Sequence, residues 1–220
     1  FGTGGVLEQD FRDNTYFTTT GRISYESKPA NIYYLEAALG HRVHESKFDS
    51  TNGKRDATTY NLTVGSEFEL SEKLNGNYSI GYQIDDYEDS SLKSLDGFTL
   101  NGGINWSPQR EVNVSVNAQT SFTEAANSTT PGSIVRSIDG TITRQATQRL
   151  QLNATGGVRL TYDEKNNLDS SVWNVGSGFE YAINKHMSFK GSVDYEEQTN
   201  EETSVSIDNT TFSTSLKLQR

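Results

Sequence analysis

Tyr60-Asn-Leu-Thr-Val-Gly-Ser-Glu-Phe-Glu-Leu70, followed after a Ser-Glu-Lys-Leu-Asn turn at 71–75 by Tyr78-Ser-Ile-Gly-Tyr-Gln-Ile84, decides the fold. Tyr60, Leu62, Val64, Phe68 and Leu70 share one parity with each other, and Tyr78, Ile80, Tyr82 and Ile84 repeat the pattern after the turn. Asn61, Thr63, Gly65, Glu67 and Glu69, then Asn77, Ser79, Gly81 and Gln83, take the other parity. Period two is the signature of a strand, because successive side chains point to opposite faces. It is compatible with a soluble sheet, apolar side in and polar side out, or with a membrane barrel, apolar side to lipid and polar side to water. The number of such hairpins and the connections between them must choose.

Composition narrows the field. The 220 residues are 32% hydrophobic with a mean hydropathy of -0.69. That polarity alone would fit a disordered chain, but 11 Tyr, 10 Phe and 2 Trp spaced at strand-like intervals argue for an ordered one. No apolar run approaches the roughly 18 residues of a membrane helix, so a membrane could be crossed only by strands closed into a barrel. A formal charge of -10 makes nucleic acid a poor partner. Without cysteine there is no disulfide or thiolate chemistry. The opening Phe-Gly-Thr-Gly-Gly lacks the basic and apolar regions of a signal peptide, which fits a processed, exported chain.

The same alternation recurs along the chain. It predicts a weak strand near Gly2–Asp10, then strands near 15–26, 32–47, 60–70, 78–84, 97–106, 112–122, 134–144, 150–162, 173–183, 187–195 and a last one ending in Phe212, Thr214, Leu216 and Leu218. Val205 and Ile207 are out of step with that last run, which predicts a bulge near Asp208 or Asn209. Short connections at 27–30, 71–75, 107–110, 145–148 and 184–186 alternate with longer polar ones near 48–57, 86–96, 123–133, 163–170 and 197–204. Greek-key sandwiches have no reason to alternate in this way, whereas outer-membrane barrels have short periplasmic turns and longer outer loops. The fold class expected is all-β: one antiparallel up-and-down transmembrane β-barrel of about twelve strands over residues 1–220. It would lie in the bacterial outer membrane with both termini periplasmic, in contact with lipid and lipopolysaccharide and open to a periplasmic or envelope protein partner.

Aromatic residues fall near strand ends, as girdles do. Tyr25, Tyr33, Tyr78, Trp106, Tyr181 and Phe189 lie beside short turns; Tyr60, Phe98, Phe122, Tyr162, Trp173, Tyr195 and Phe212 lie toward long loops. The long loops are acidic, with Asp86, Glu88, Asp89, Asp96, Asp163, Glu164, Asp169, Glu197, Glu201 and Glu202, and read as solvated rims.

At the C-terminal strand, Phe212-Ser-Thr-Ser-Leu216-Lys-Leu218-Gln-Arg220 resembles the closing strands of outer-membrane barrels, although those usually end in an aromatic residue and this one ends Leu-Gln-Arg. That ending is similar to the putative β-barrel porin family of alphaproteobacterial outer-membrane proteins, some of them associated with exopolysaccharide genes. The resemblance implies a barrel in the outer membrane, and it is compatible with a C-terminal barrel of a longer chain.

Catalysis is not expected. His44 precedes Asp49-Ser50-Thr51-Asn52-Gly53, a partial echo of outer-membrane phospholipase A, but Ser50 has no His two residues before it and the segment reads as a loop turn. His41, His44 and His186 show no metal-ligand spacing, and no cofactor is implied. The residues expected to line a lumen are Arg22, Glu36, Arg42, Glu67, Glu69, Asp85, Asp139, Arg159, Glu180, Lys190, Asp194 and Lys217. Small neighbours such as Gly65, Gly81, Gly103, Gly157 and Gly176 favour open space between them. A narrow, weakly cation-favouring channel for small polar solutes or ions is the first functional expectation. The alternatives are the outer-membrane part of a polysaccharide or polymer export route, and a structural or adhesive barrel with a closed lumen.

Overall fold

A computed structural model of the chain describes residues 13–45, 55–124, 131–201 and 203–218. The described residues form only strands: β1 (Asn14–Lys28), β2 (Asn31–His44), β3 (Ala57–Ser71), β4 (Leu74–Tyr87), β5 (Leu95–Gln109), β6 (Val112–Glu124), β7 (Gly132–Gln145), β8 (Leu150–Tyr162), β9 (Leu168–Asn184), β10 (Met187–Asn200) and β11 (Val205–Leu218). They pair in chain order, each antiparallel to the next, as one up-and-down meander. The strand expected at Gly2–Asp10 lies outside the described residues, so about twelve strands become eleven here. With an odd count, β1 and β11 run in the same direction. Neither has a second partner among the described residues, and the sheet is not closed.

The opening hairpin is β3–β4, with Tyr60 opposite Ile84, Leu62 opposite Tyr82 and Val64 opposite Ile80. Directly opposed residues share a face, so each face can be followed from strand to strand. Leu35, Val64, Ile80 and Leu100 form one apolar row, and Glu36, Thr63, Gly81 and Thr99 run beside it on the polar face.

Exposure decides between the two architectures. Ile23, Leu62, Phe98 and Leu216 are each more than half exposed, along with most large apolar side chains of that face, whereas the buried apolar core among the described residues is Ala57, Tyr87, Leu92, Leu95 and Ile134. A soluble sandwich buries its apolar face against a second sheet; a single sheet that bares it needs lipid. The strands are long enough for this, from 13 residues in β6 to 17 in β9. At about 3.3 Å per residue and a tilt near 40°, the shortest spans about 33 Å against a hydrocarbon core of about 30 Å.

Some boundaries differ from the sequence expectation. No bulge occurs near Asp208 or Asn209: β10 and β11 stay in register from Asn200–Val205 to Met187–Leu218. Val205 and Ile207 therefore share the polar face with Gln198 and Asn200, because pairing to β10 holds the register whatever the side chains. Register shifts fall instead at strand ends, as between Glu69 and Ser71 or Trp106 and Gln109 beside short turns and between Thr161 and Tyr162 beside a longer connection. Asp86, Asp96, Asp169 and Glu197 belong to strand ends rather than loops, since acidic residues do not interrupt a ladder that emerges into water. As a result the connections after β8 and β10 shrink to five and four residues, close to the four of the turn between β7 and β8.

One of these, residues 163–167, is closed by its first residue. The Asp163 carboxylate accepts hydrogen bonds from the Lys165 amide at 2.8 Å, the Asn167 amide at 2.7 Å and the Asn167 side chain at 2.9 Å. Partial desolvation opposes ionisation, but the Asn167 and Lys165 donors outweigh it and hold the Asp163 carboxyl below its ordinary value. A depressed folded-state pKa stabilises the loop above the unfolded pKa, near 4, and that contribution is lost as pH falls through the folded value. The protection of the Lys165 and Asn167 amides, taken as exchange relative to an unfolded peptide at the same pH, is expected to be present at neutral pH, to be lost as pH falls through the lowered Asp163 value, and to be absent at every pH in Asp163→Ala.

The regular sheet is interrupted once. β5 and β6 pair from Gly102–Ala118 down to Gln109–Val112, and above this the Thr120 hydroxyl contacts both Leu100 N (3.0 Å) and Leu100 O (3.2 Å) while Asn101 Oδ1 accepts from Thr120 N (2.9 Å). Side chains replace ladder bonds there and the two strands part. Ile134 and Phe122, on the apolar parity of β7 and β6, pass beneath β5 so closely that a Cβ on Gly97 would meet the Ile134 side chain at 2.8 Å.

Candidate functional site: the polar face and its closed end

All twelve residues expected to line a lumen lie on the polar face, and the fold sorts them into three groups. Toward the short turns of β1–β3, Arg22 Nε meets Glu36 Oε2 at 2.7 Å and its Nη1 meets Glu67 Oε1 at 3.0 Å. The Arg22 guanidinium also sits 4.0 Å over the Tyr34 ring, and that ring lies across Gly65, where any Cβ would strike it. Glu69 follows on the same face, exposed. On the other flank, Lys190 Nζ pairs with Glu180 Oε2 at 2.8 Å, Ser188 donates to Glu180 Oε1, and Lys217 stands opposite Ser188.

The second group is a row across the middle of the sheet. Asn117, Asp139, Gly157, Asn174, Glu196 and Asn209 are opposed in turn from β6 to β11, and Thr141, Thr155, Gly176, Asp194 and Thr211 form the adjacent row. The glycines have a steric reason. A Cβ on Gly157 would come within 2.6 Å of Asp139 Oδ1, and one on Gly176 would collide with Asp194 Oδ1. Carboxylates thus lie across glycine floors, leaving a concavity of about 390 Å³ lined by Asp139, Asp194, Glu196, Asn174 and Asn209 and by no basic side chain. Asp139 and Glu196 make no hydrogen bond or ion pair among the described residues, and Asp194 accepts one from Ser192. Arg159 stands one polar-face position beyond Gly157 on β8.

The third group closes the long-loop end. Glu124, at the end of β6, approaches Arg55 Nη1 at 3.4 Å, His44 Nε2 at 3.2 Å and Arg42 Nη1 at 3.8 Å. Asp56 lies 3.4 Å from His44 Nδ1 and accepts from the His44 amide at 2.6 Å. His44, Arg55, Asp56 and Asp85 are all buried, and the Arg42 guanidinium faces the Tyr87 ring, whose hydroxyl donates to Pro131 O. β2 and β6 are not neighbours in the sheet, so this cluster ties distant strands together. Sequence reasoning found Arg42 and Asp85 and missed Glu124, whose parity in β6 assigns it to the apolar face. It reaches the cluster only because β6 leaves β5.

Tyr34 and Tyr87 belong to the polar face, whereas the aromatic residues expected to form girdles have the parity of the opposite one. Tyr25, Tyr33, Tyr60, Tyr78, Phe98, Trp106, Trp173, Tyr181, Phe189 and Phe212 are exposed there. Phe212 sits at mid-strand opposite Val193, while Phe122 and Tyr162 pack against the buried cluster. Tyr82 and Phe98 meet edge-to-face at 5.1 Å, and Trp173 and Tyr195 lie 5.1 Å apart. His41, also of apolar parity, contacts the Thr58 hydroxyl at 3.3 Å. The phospholipase-like segment from Asp49 to Gly53 lies outside the described residues.

A lipid-facing apolar surface, a polar opposite face and an up-and-down antiparallel meander define a bacterial outer-membrane β-barrel protein. Residues 2–220 match the family described as "Putative beta-barrel porin 2", and the chain belongs to it. Among solved structures it is similar to a FadL homologue of Pseudomonas aeruginosa, at 11% identity and a TM-score of 0.37 over 83% of this chain. The match spans 60% of that homologue's length. It is also similar to LpxR from Salmonella typhimurium, at 10% identity and a TM-score of 0.33 over 91% of this chain and 88% of the other. No protein of curated function matches.

Proposed function

We propose that the protein is a passive outer-membrane channel for small polar solutes or ions, weakly favouring cations, and that it acts without catalysis. The observation that carries this is the middle row: Asp139, Asp194 and Glu196 over glycine floors, flanked by Asn174 and Asn209, with no basic side chain in the concavity. Carboxylates facing water on the inside of a barrel raise the local cation concentration, and small residues beneath them leave room for solute. The end of β11 at Leu218 would lie on the periplasmic side and the long loops outside.

Planar-bilayer recording of the refolded protein tests this. Discrete conductance steps are expected, with a reversal potential on the cation side in a KCl gradient; complete absence of conductance, in every variant, removes the channel. One observation favours a closed barrel instead, namely the buried Arg42–His44–Arg55–Asp56–Glu124 cluster across the loop end. A silent wild type that conducts once Glu124 is replaced would mean a gated form of the same conduit.

A further inference from the structure

The parting of β5 from β6 creates a second feature, on the face that meets lipid. Leu100, Ala118, Ile138, Val158 and Leu160 line a groove of about 210 Å³ there, headed by Thr120 and Arg136. Arg136 is on the apolar parity of β7, opposite Thr120 of β6 and Leu160 of β8. Its guanidinium lies 4.7 Å over the Tyr162 ring. It makes no ion pair among the described residues, in contrast to Arg22, Arg42, Arg55 and Lys190, which all face carboxylates.

An unpaired cation on a lipid-facing wall is unfavourable unless it lies near the interface and finds an anion. Arg136 is toward the long-loop end of its strand, and stacking on Tyr162 occupies one face of the guanidinium while leaving its in-plane donors free. That planar fork matches a phosphate oxygen pair. Below it the groove is lined mainly by apolar side chains, and Leu100, Ile138 and Val158 on its walls are exposed on the apolar face. We propose that this groove holds one acyl chain of a phosphorylated glycolipid of the outer leaflet, its phosphate bound by Arg136 and its chain lying along Ile138, Val158 and Leu160. The site rests on the outer-membrane orientation with long loops outside, and not on conduction through the polar face.

The test uses refolded full-length chain in neutral phosphatidylcholine vesicles doped with bis-phosphorylated lipid A, or with the same lipid dephosphorylated, and counts co-purifying lipid by native mass spectrometry. Wild type is expected to retain the phosphorylated lipid at least tenfold better than the dephosphorylated one. Arg136→Gln should lose that preference, Arg136→Lys should keep part of it, and Ala118→Trp, which fills the groove, should reduce retention of both lipids. Arg144→Gln, on the same face of β7 at the short-turn end, should behave as wild type. Equal retention of the two lipids by wild type, or an undiminished preference in Arg136→Gln, overturns the site. Heat-modifiable electrophoretic mobility identifies variants that fold; if Arg136→Gln does not, the wild-type comparison of the two lipids still decides. Bilayer conductance in Arg136→Gln should match wild type, so failure of the lipid site is distinct from failure of the channel.

Discussion

Glu124→Ala is expected to lower the unfolding free energy by about 2–3 kcal/mol and to increase conductance. Glu124 is the only carboxylate that Arg42 and Arg55 both face among the described residues, and it also faces His44. Removing one partner from a buried ionic pair costs about 3–5 kcal/mol, and here it takes from Arg42 the carboxylate it faces at 3.8 Å. The Glu124 side chain retains 22% of its exposure, which argues for the lower part of that range or somewhat less. Urea unfolding from vesicles followed by tryptophan fluorescence reads the stability term. Arg42→Met combined with Glu124→Leu should recover part of the loss, since replacing a buried pair by apolar groups is often neutral. The conductance term follows from position: the cluster joins β2 to β6 across the long-loop end, and releasing it widens that mouth. An unchanged unfolding midpoint in Glu124→Ala would show that the cluster is solvated and ties nothing.

The strand pattern was legible from period two because most positions of each strand alternate between apolar and polar, and all twelve polar candidates, from Arg22 to Lys217, fell on one face. Their grouping was not legible. Parity says that Arg22 and Glu67 share a face, but only the register of β1, β2 and β3 brings them to 3.0 Å. The bulge expected at Asp208–Asn209 failed for a related reason: Val205 and Ile207 look misplaced only if every apolar residue must face lipid, and pairing with β10 fixes their side regardless. Glu124 and Phe122 were unreadable because the parting of β5 and β6 depends on bonds between Thr120, Leu100 and Asn101, which no periodicity encodes.

Register also changes which carboxylates should set ion preference. Glu67 and Glu69 stand out in the sequence as a pair, yet Glu67 is bound to Arg22, which Glu36 binds as well. Arg22 offsets only one of the two carboxylates it binds and Glu69 has no ion pair among the described residues, so Glu67→Gln with Glu69→Gln removes two charges and should shift the reversal potential less than loss of the three unopposed carboxylates of the middle row. Asp139, Asp194 and Glu196 face no base across their concavity. At about 8 Å in water each unit charge attracts a monovalent cation by about 0.5 kcal/mol, or roughly twofold in occupancy. Arg159 offsets part of this, and salt above about 0.1 M screens what remains over about 10 Å. The combined change Asp139→Asn, Asp194→Asn and Glu196→Gln is therefore expected to lower the cation-to-anion permeability ratio about eightfold at low salt, with little effect at 1 M. Asparagine keeps the side chains lying across Gly157 and Gly176, so the wall should survive. A ratio that falls in Glu67→Gln with Glu69→Gln but not in the triple variant would relocate the selectivity to the turn end, where the Arg22 network would have to be open in the membrane.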